Sequence, residues 1–174
     1  MTISLREAVA AKQEELRTVP ESRLATFRTE SNQIEGLRSE TRIRQFSITV
    51  DEPVSLGGTD AGPNPVELVI AALASCQEIT YRAYAEALGI PLESVSVNVE
   101  GELDLRGFYA VEEGVRAGYQ GIRVSVNLKS SASEEDLLKL KEIVDAHCPV
   151  LDILTNPTPV AIELKTEPLA AAAE

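Results

Sequence analysis

The feature that most constrains this chain is the pattern of one long helix, which begins at Asn64 and ends at Gly89. Asn64 is a favourable N-cap, Pro65 suits the first helical position, and Glu67 completes a capping-box pattern. Gly89 suits a left-handed C-terminal cap, and Pro91 prevents the helix from continuing. A helix of about 25 residues is roughly 37 Å long, so it must cross the whole core of a small domain.

Length and charge limit the class of protein. The chain has 174 residues, of which 44% are hydrophobic, and its formal net charge is −12. This length favours a single main domain with one core. An acidic surface repels nucleic acid and anionic membranes, so we expect neither as a partner. The sequence has no run of about 20 apolar residues and no basic-then-apolar export signal, which predicts a cytoplasmic protein.

Hydrophobic periodicity predicts strands on both sides of the long helix. A second helix is predicted from its N-cap Ser133 to about Cys148, with acidic residues in its first turn. This order of strands, long helix, strands, helix and strand predicts an α+β domain. The predicted strands lie at residues 27–50, which hold two or three of them turned near Gly36, and at residues 94–105, 121–129 and 159–165.

The two ends of the chain are set apart from this pattern. Leu5, Val9 and Leu16 lie at near-helical spacing and Pro20 follows them, which predicts an N-terminal helical extension over residues 1–22. The main domain is then assigned to residues 23–166, and residues 167–174 are predicted to form a flexible tail. The irregular stretch at residues 106–120 holds three of the aromatic residues and is a candidate lid.

The chain has two cysteines, Cys76 in the long helix and Cys148 far downstream. Buried free cysteines are often packing residues, whereas two thiols in a reducing compartment also suit redox chemistry. The face of the helix around Cys76 is small and apolar, which predicts a contact with another helix or subunit. A reactive thiolate there would need a nearby cation, and the strand arginines are candidates. The residues alone leave both alternatives open.

The sequence also leaves open whether the position of Cys148 favours its thiolate. At the C-terminus of the second helix its thiolate would be opposed by the helix dipole, whereas as an N-cap before Pro149 it would be favoured. His147, the only histidine, is expected on another side of the helix. Two thiols and one imidazole without CxxC or HExxH spacing make a poor zinc site, so no metal is expected. The loop at residues 55–65 lacks a phosphate-binding or dinucleotide-binding motif, and we expect no bound cofactor.

Three stretches, taken in order, resemble the OsmC/Ohr family of thiol-dependent hydroperoxide reductases. They are DEPVSLGGTDAGPNPVELVIAALASC, then VEGELDLRG, then AHCPV with a closing PVAIEL. The resemblance covers roughly residues 23–166 of this chain. It implies an α+β, OsmC-like fold in which antiparallel sheets flank long central helices in an intertwined homodimer, with each active site at the subunit interface.

The resemblance also implies roles for single residues. It implies that Cys76 attacks a hydroperoxide to give a sulfenic acid, that Cys148 resolves it as a disulfide, and that an external dithiol or lipoyl-type reductant resets the pair. Arg38 is the nearest match to the family arginine that supports the thiolate. The family glutamate directly after Asn-Pro is replaced by Val66. Glu67 is the next residue. On an ideal helix it lies on the opposite side from Cys76, so it is interpreted first as a helix cap.

The sequence therefore supports two functions. The first is a thiol peroxidase that uses Cys76 and Cys148 in defence against oxidative stress. The alternative is a non-catalytic dimer that binds a small apolar ligand in an interface pocket and whose cysteines are structural. The distance between the two cysteines discriminates between these functions, because a disulfide needs Cα atoms within about 7 Å of each other or a feasible movement.

Overall fold

The computed structural model describes residues 3–166, so the predicted tail at 167–174 lies outside the described residues. The helices are α1 (Leu5–Thr18), α2 (Pro65–Leu88), α3 (Leu105–Phe108), α4 (Glu134–His147) and α5 (Pro149–Thr155). The strands are β1 (Glu30–Glu35), β2 (Arg38–Ile43), β3 (Phe46–Val50), β4 (Ser94–Leu103) and β5 (Tyr119–Lys129). Single 3-10 turns cover Pro20–Arg23 and Val54–Leu56. Within this range, no helix combines the length and the apolar character that crossing a membrane requires.

Local capping fixes both ends of α2, as the sequence predicts. The Asn64 side chain accepts a hydrogen bond from the Glu67 backbone N–H at 2.9 Å, and the Glu67 carboxylate accepts one from the Asn64 N–H at 2.8 Å. Gly89 closes the helix in the left-handed conformation, with φ of 70°. These contacts satisfy backbone groups that a helix leaves unpaired at its ends. The interpretation of Glu67 as a cap is confirmed.

The core lies where α2 packs on the β4–β5 sheet and on α4. Tyr81 and Ala85 of α2 meet Leu140 and Val144 of α4, and all four side chains are almost completely buried. Leu92, in the connection to β4, completes the cluster. Each fully buried aliphatic side chain contributes about 1.5–3 kcal/mol through removal from water. This core holds the middle of α2 in a fixed position.

The strands form two separate antiparallel sheets, which confirms the predicted α+β class. One sheet has the order β1-β2-β3, and the other pairs β4 with β5. In the second sheet Val97 lies opposite Val126, and alternate residues face α2. The three-stranded sheet is largely exposed on both faces, and Ile34 and Phe46 retain 56% and 53% of their accessible surface. This sheet therefore finds little cover within its own chain.

The sequence predicts a last strand at residues 159–165, and this prediction is wrong. In the described part of the chain this segment joins neither sheet. Its alternating apolar side chains, Val160, Ile162 and Leu164, are 80%, 92% and 86% exposed. Alternation specifies which side chains share a face, but a strand also needs an edge to pair with. No edge within the described part of the chain pairs with this segment.

Candidate active site

The two cysteines are distant in sequence but lie near each other in the structure. Cys76 lies half-buried on α2, and Cys148 lies completely buried between α4 and α5. Both are free thiols, and Cys76 lies near enough to Cys148 to raise the pKa of its thiol. Two neighbouring free thiols are suited to thiol–disulfide chemistry.

Cys148 occupies the junction of two helices and caps both. Its backbone N–H donates to the Val144 carbonyl at 2.9 Å, which ends α4, and its carbonyl accepts from the Asp152 N–H at 3.0 Å, which begins α5. Pro149 follows as the first residue of α5, where its missing N–H costs nothing. The sequence left a choice between the two helix ends, and the structure shows that Cys148 belongs to both.

The environment of Cys148 favours the neutral thiol. Burial is the largest influence and raises the pKa of this thiol, and the neighbouring Cys76 thiol acts in the same direction. The backbone N–H groups of Leu151 and Val150 oppose this effect without cancelling it. Cys76 is the more accessible of the two sulfurs. Accessibility and the direction of the Cys148 pKa shift therefore both point to Cys76 as the first thiol to react.

An open cavity of about 480 Å³ lies near the two cysteines, and neither cysteine lines it. Leu73, which borders it, lies one turn before Cys76 on the same face of α2, and Leu151 lies three residues after Cys148. Most of the wall side chains are apolar, among them Val66, Val69, Leu73, Ile122 and Leu151, and Arg116 also lines the cavity. The cavity has the size and lining of a small-molecule site.

The other two predicted site residues have partners elsewhere. Arg38 lies in β2, and its guanidinium pairs with the Glu35 carboxylate at 3.2 Å. Glu67 is engaged in the capping box at the start of α2. The structure thus brings Cys76 and Cys148 together, and within one chain it shows Arg38 and Glu67 in other contacts. Among the described residues no group of metal-ligating side chains could hold a metal ion.

Tyr119 is a site residue that the sequence did not identify. Its hydroxyl donates a hydrogen bond to the Val66 carbonyl at 2.8 Å, which fixes the first turn of α2 against β5. Burial, followed by the negative charge of Glu67, raises the pKa of this phenol and keeps it a donor. A Cβ at Gly101 would lie 2.5 Å from the Tyr119 ring, so only a glycine leaves room for this ring. The glycine that interrupts the alternating pattern of β4 is therefore the sequence feature that could have indicated a close packing partner here.

His147 does not join the thiol pair through a hydrogen bond. Its Nδ1 lies 2.8 Å from the Ile143 carbonyl, and its ring packs against Tyr84 with centroids 5.4 Å apart. This geometry agrees with the expectation that the histidine faces another side of the helix than its neighbour Cys148. The imidazole therefore acts as a structural group at the end of α4.

Comparison with known families now places the protein. The family model described as OsmC-like protein matches residues 58–163, which is more than half of the chain. The chain belongs to the OsmC/Ohr family. The matched region contains α2, both cysteines and the cavity walls, so the resemblance carried by the sequence motifs is confirmed.

Two known proteins are similar to this OsmC-like protein, one in sequence and one in structure. The uncharacterized protein YmaD of Bacillus subtilis is 29% identical over 107 residues, which cover 61% of this chain and 65% of that protein, just under two thirds of its length. A crystal structure of an OsmC-like protein from Mycoplasma pneumoniae superposes with a TM-score of 0.66 at 21% identity, over 76% of this chain and 89% of that one.

Two further structures carry functional names. An organic hydroperoxide resistance protein OsmC from Legionella pneumophila has a TM-score of 0.57 at 24% identity, over 75% of this chain and 90% of that one. An organic hydroperoxide resistance protein from Elizabethkingia anophelis, with thiocyanate bound, has a TM-score of 0.58 at 18% identity, over 77% and 91%. At these identities the likeness establishes the OsmC-like fold.

Proposed function

We propose that this OsmC-like protein is a cysteine-based thiol peroxidase that reduces hydroperoxides. The observation that carries the proposal is that Cys76 and Cys148 are neighbours, close to a largely apolar cavity. The organic hydroperoxide resistance proteins of the same fold add support. A cavity with apolar walls suits the organic part of a hydroperoxide and excludes competing water.

The reaction proceeds in three balanced steps. The Cys76 thiolate attacks the terminal peroxide oxygen and the O–O bond breaks, which converts Cys76 to a sulfenic acid. The alkoxide that is released takes up a proton and leaves as an alcohol. The Cys148 sulfur then attacks the Cys76 sulfur of the sulfenic acid and displaces hydroxide, so that a disulfide forms. The hydroxide takes up a proton and leaves as water. A dithiol or lipoyl-type reductant exchanges with this disulfide and restores both thiols. No bound cofactor takes part.

The two roles follow from the two environments. The attacking sulfur must meet a substrate from the cavity, and Cys76 is the more accessible of the pair. The resolving sulfur needs only to reach its partner, and the buried Cys148 lies near it. Arg38 stays a prediction as an electrostatic helper of the Cys76 thiolate, because its guanidinium pairs with Glu35 in the single chain.

We also propose that the protein acts as a homodimer. The chain exposes 13459 Å², whereas a compact monomer of 18.8 kDa exposes roughly 8,300 Å². Within residues 3–166, three features contribute to this exposed area: the uncovered three-stranded sheet, the unpaired segment at residues 159–165, and an exposed strip of α2 that contains Ala72, Ser75 and Ile79. Cys76 borders that strip, so a second copy seated there would complete the site. The cytoplasmic location stays a prediction from the sequence.

Single-cysteine variants test the peroxidase. With a dithiol present, Cys76→Ser is expected to abolish hydroperoxide consumption, because the attacking sulfur is gone. Cys148→Ser is expected to allow one oxidation per subunit and then to accumulate sulfenic acid, which a trapping reagent and mass spectrometry detect. If Cys148→Ser instead abolished the first oxidation, the two roles would be reversed.

The same experiment separates the second candidate function, a non-catalytic binder of small apolar ligands. The cavity of about 480 Å³ favours this alternative. Full hydroperoxide consumption by both single variants, or none by the wild-type protein, would mean that the cysteines are packing residues. Binding of an unreactive apolar probe by the wild-type protein and both variants would then support the binder.

A further inference from the structure

We propose that a second cavity, at the N-terminal end of α2 and apart from the thiol pair, binds a small organic ammonium ion. This cavity has a volume of about 260 Å³. Its walls combine aliphatic side chains, an aromatic pair and one carboxylate, and they include Glu52, Leu56, Asn64, Leu105, Phe108 and Tyr109. We call it the Glu52 cavity.

The Glu52 carboxylate is the one charged group in the walls of this cavity, as far as the described residues show. It is half-buried, and its Oε2 accepts a hydrogen bond from the Asn64 side chain at 3.4 Å. Within residues 3–166 no lysine or arginine pairs with it, although thirteen such ion pairs occur there. A carboxylate among apolar walls is stabilised by a cation.

A rigid loop holds Glu52 in place. The Asp51 side chain is 1% exposed and accepts hydrogen bonds from the backbone N–H groups of Glu52 at 2.9 Å, Thr59 at 3.0 Å and Ala61 at 3.2 Å. Gly58 packs so closely on this turn that an added Cβ would lie 1.8 Å from the Glu52 carbonyl oxygen. The position of the carboxylate is therefore set before any ligand arrives, which lowers the entropic cost of binding.

An aromatic pair also lines the cavity. The Phe108 and Tyr109 rings pack edge to face, with centroids 5.0 Å apart and an interplanar angle of 80°. Arg106 fastens this turn through ion pairs with Asp104 and Glu112. Aromatic faces attract cations through the ring quadrupole. A carboxylate and an aromatic pair that line the same apolar cavity favour a cation that carries an apolar group.

The size of the cavity limits the ligand. Its volume lies below the usual range of drug-sized sites, about 300–1,000 Å³, so the ligand is a small alkyl- or arylammonium ion such as benzylammonium. Val66 borders both the Glu52 cavity and the cavity beside the thiols, so a bound ammonium ion would contact the first turn of the helix that carries Cys76. This proposal does not depend on the peroxidase reaction.

Binding of benzylammonium to the full-length protein tests the proposal, with uncharged benzyl alcohol of the same shape as the comparison. Titration followed by backbone amide chemical shifts should show benzylammonium binding about tenfold more tightly, from the combined cation–π and carboxylate contributions. The largest shifts are expected at the loop of residues 51–64 and at residues 104–112. Equal affinity for both probes, shifts elsewhere, or no binding because a second copy fills the cavity would overturn the proposal.

Two variants test the named groups, and one matched variant serves as the control. Glu52→Gln should reduce benzylammonium affinity to that of benzyl alcohol, and Phe108→Leu should weaken benzylammonium binding while the cavity stays apolar. Glu113→Gln removes an exposed carboxylate from the nearby loop and should leave the preference unchanged. If Glu52→Gln lowered thermal stability but kept the tenfold preference, Glu52 would serve only the start of α2 and the proposal would fail.

Discussion

Cys148 shows how one residue position sets the chemistry of its side chain. Burial and the neighbouring Cys76 thiol raise the pKa of Cys148, so its reactive thiolate is scarce at neutral pH and becomes more abundant as the pH rises. In the proposed reaction this thiolate resolves the Cys76 sulfenic acid. We therefore expect the lifetime of the sulfenic acid to shorten steadily from about pH 6 to about pH 9.

Rapid mixing with one equivalent of hydroperoxide, followed by trapping of the sulfenic acid at timed intervals, measures this lifetime. Cys148→Ser is the control, and its sulfenic acid should persist with little dependence on pH. A wild-type lifetime that does not change over this range would show that deprotonation of Cys148 does not limit resolution.

At the scale of the element, α4 buries one face and exposes the other. Leu140 is completely buried against α2, whereas Leu138, two residues earlier, is 55% exposed. Leu140→Ala should lower the free energy of unfolding by about 2–5 kcal/mol, because the change removes buried methyl groups and leaves a cavity. Leu138→Ala, the same change on the exposed face, should cost less than about 0.5 kcal/mol. Urea unfolding followed by circular dichroism measures both, and equal losses would contradict the described packing.

At the scale of the whole molecule, the exposed strip of α2 should be covered by a second copy. Ile79 is 69% exposed on this strip. Sedimentation should show a dimer at micromolar concentration, and Ile79→Glu should shift the protein towards monomer because a carboxylate would be buried in the contact. Leu138→Glu, a matched change on α4, should leave the dimer intact. A wild-type protein that sediments as a monomer would disprove the assembly.

The extent of α2 was predictable from the sequence because helix capping is local. Asn64, Glu67 and Gly89 interact with backbone groups within a few residues, so their spacing already contains the geometry. The two thiols could be named as candidates for the same kind of reason: the sequence contains only Cys76 and Cys148, and each lies in a recognisable motif. The order of strands and helices from β1 to α4 likewise followed from periodicity, whereas the predicted last strand at residues 159–165 did not form.

Only the tertiary structure decided which distant groups meet. It brought Cys148 near Cys76, made Cys148 the cap of two helices at once, and placed Tyr119 against the start of α2. It also left the segment at residues 159–165 unpaired, although its alternation predicted a strand. The physical reason is that a capping residue finds its partners within one turn, whereas a thiol pair or a strand edge depends on where the packed core brings another part of the chain.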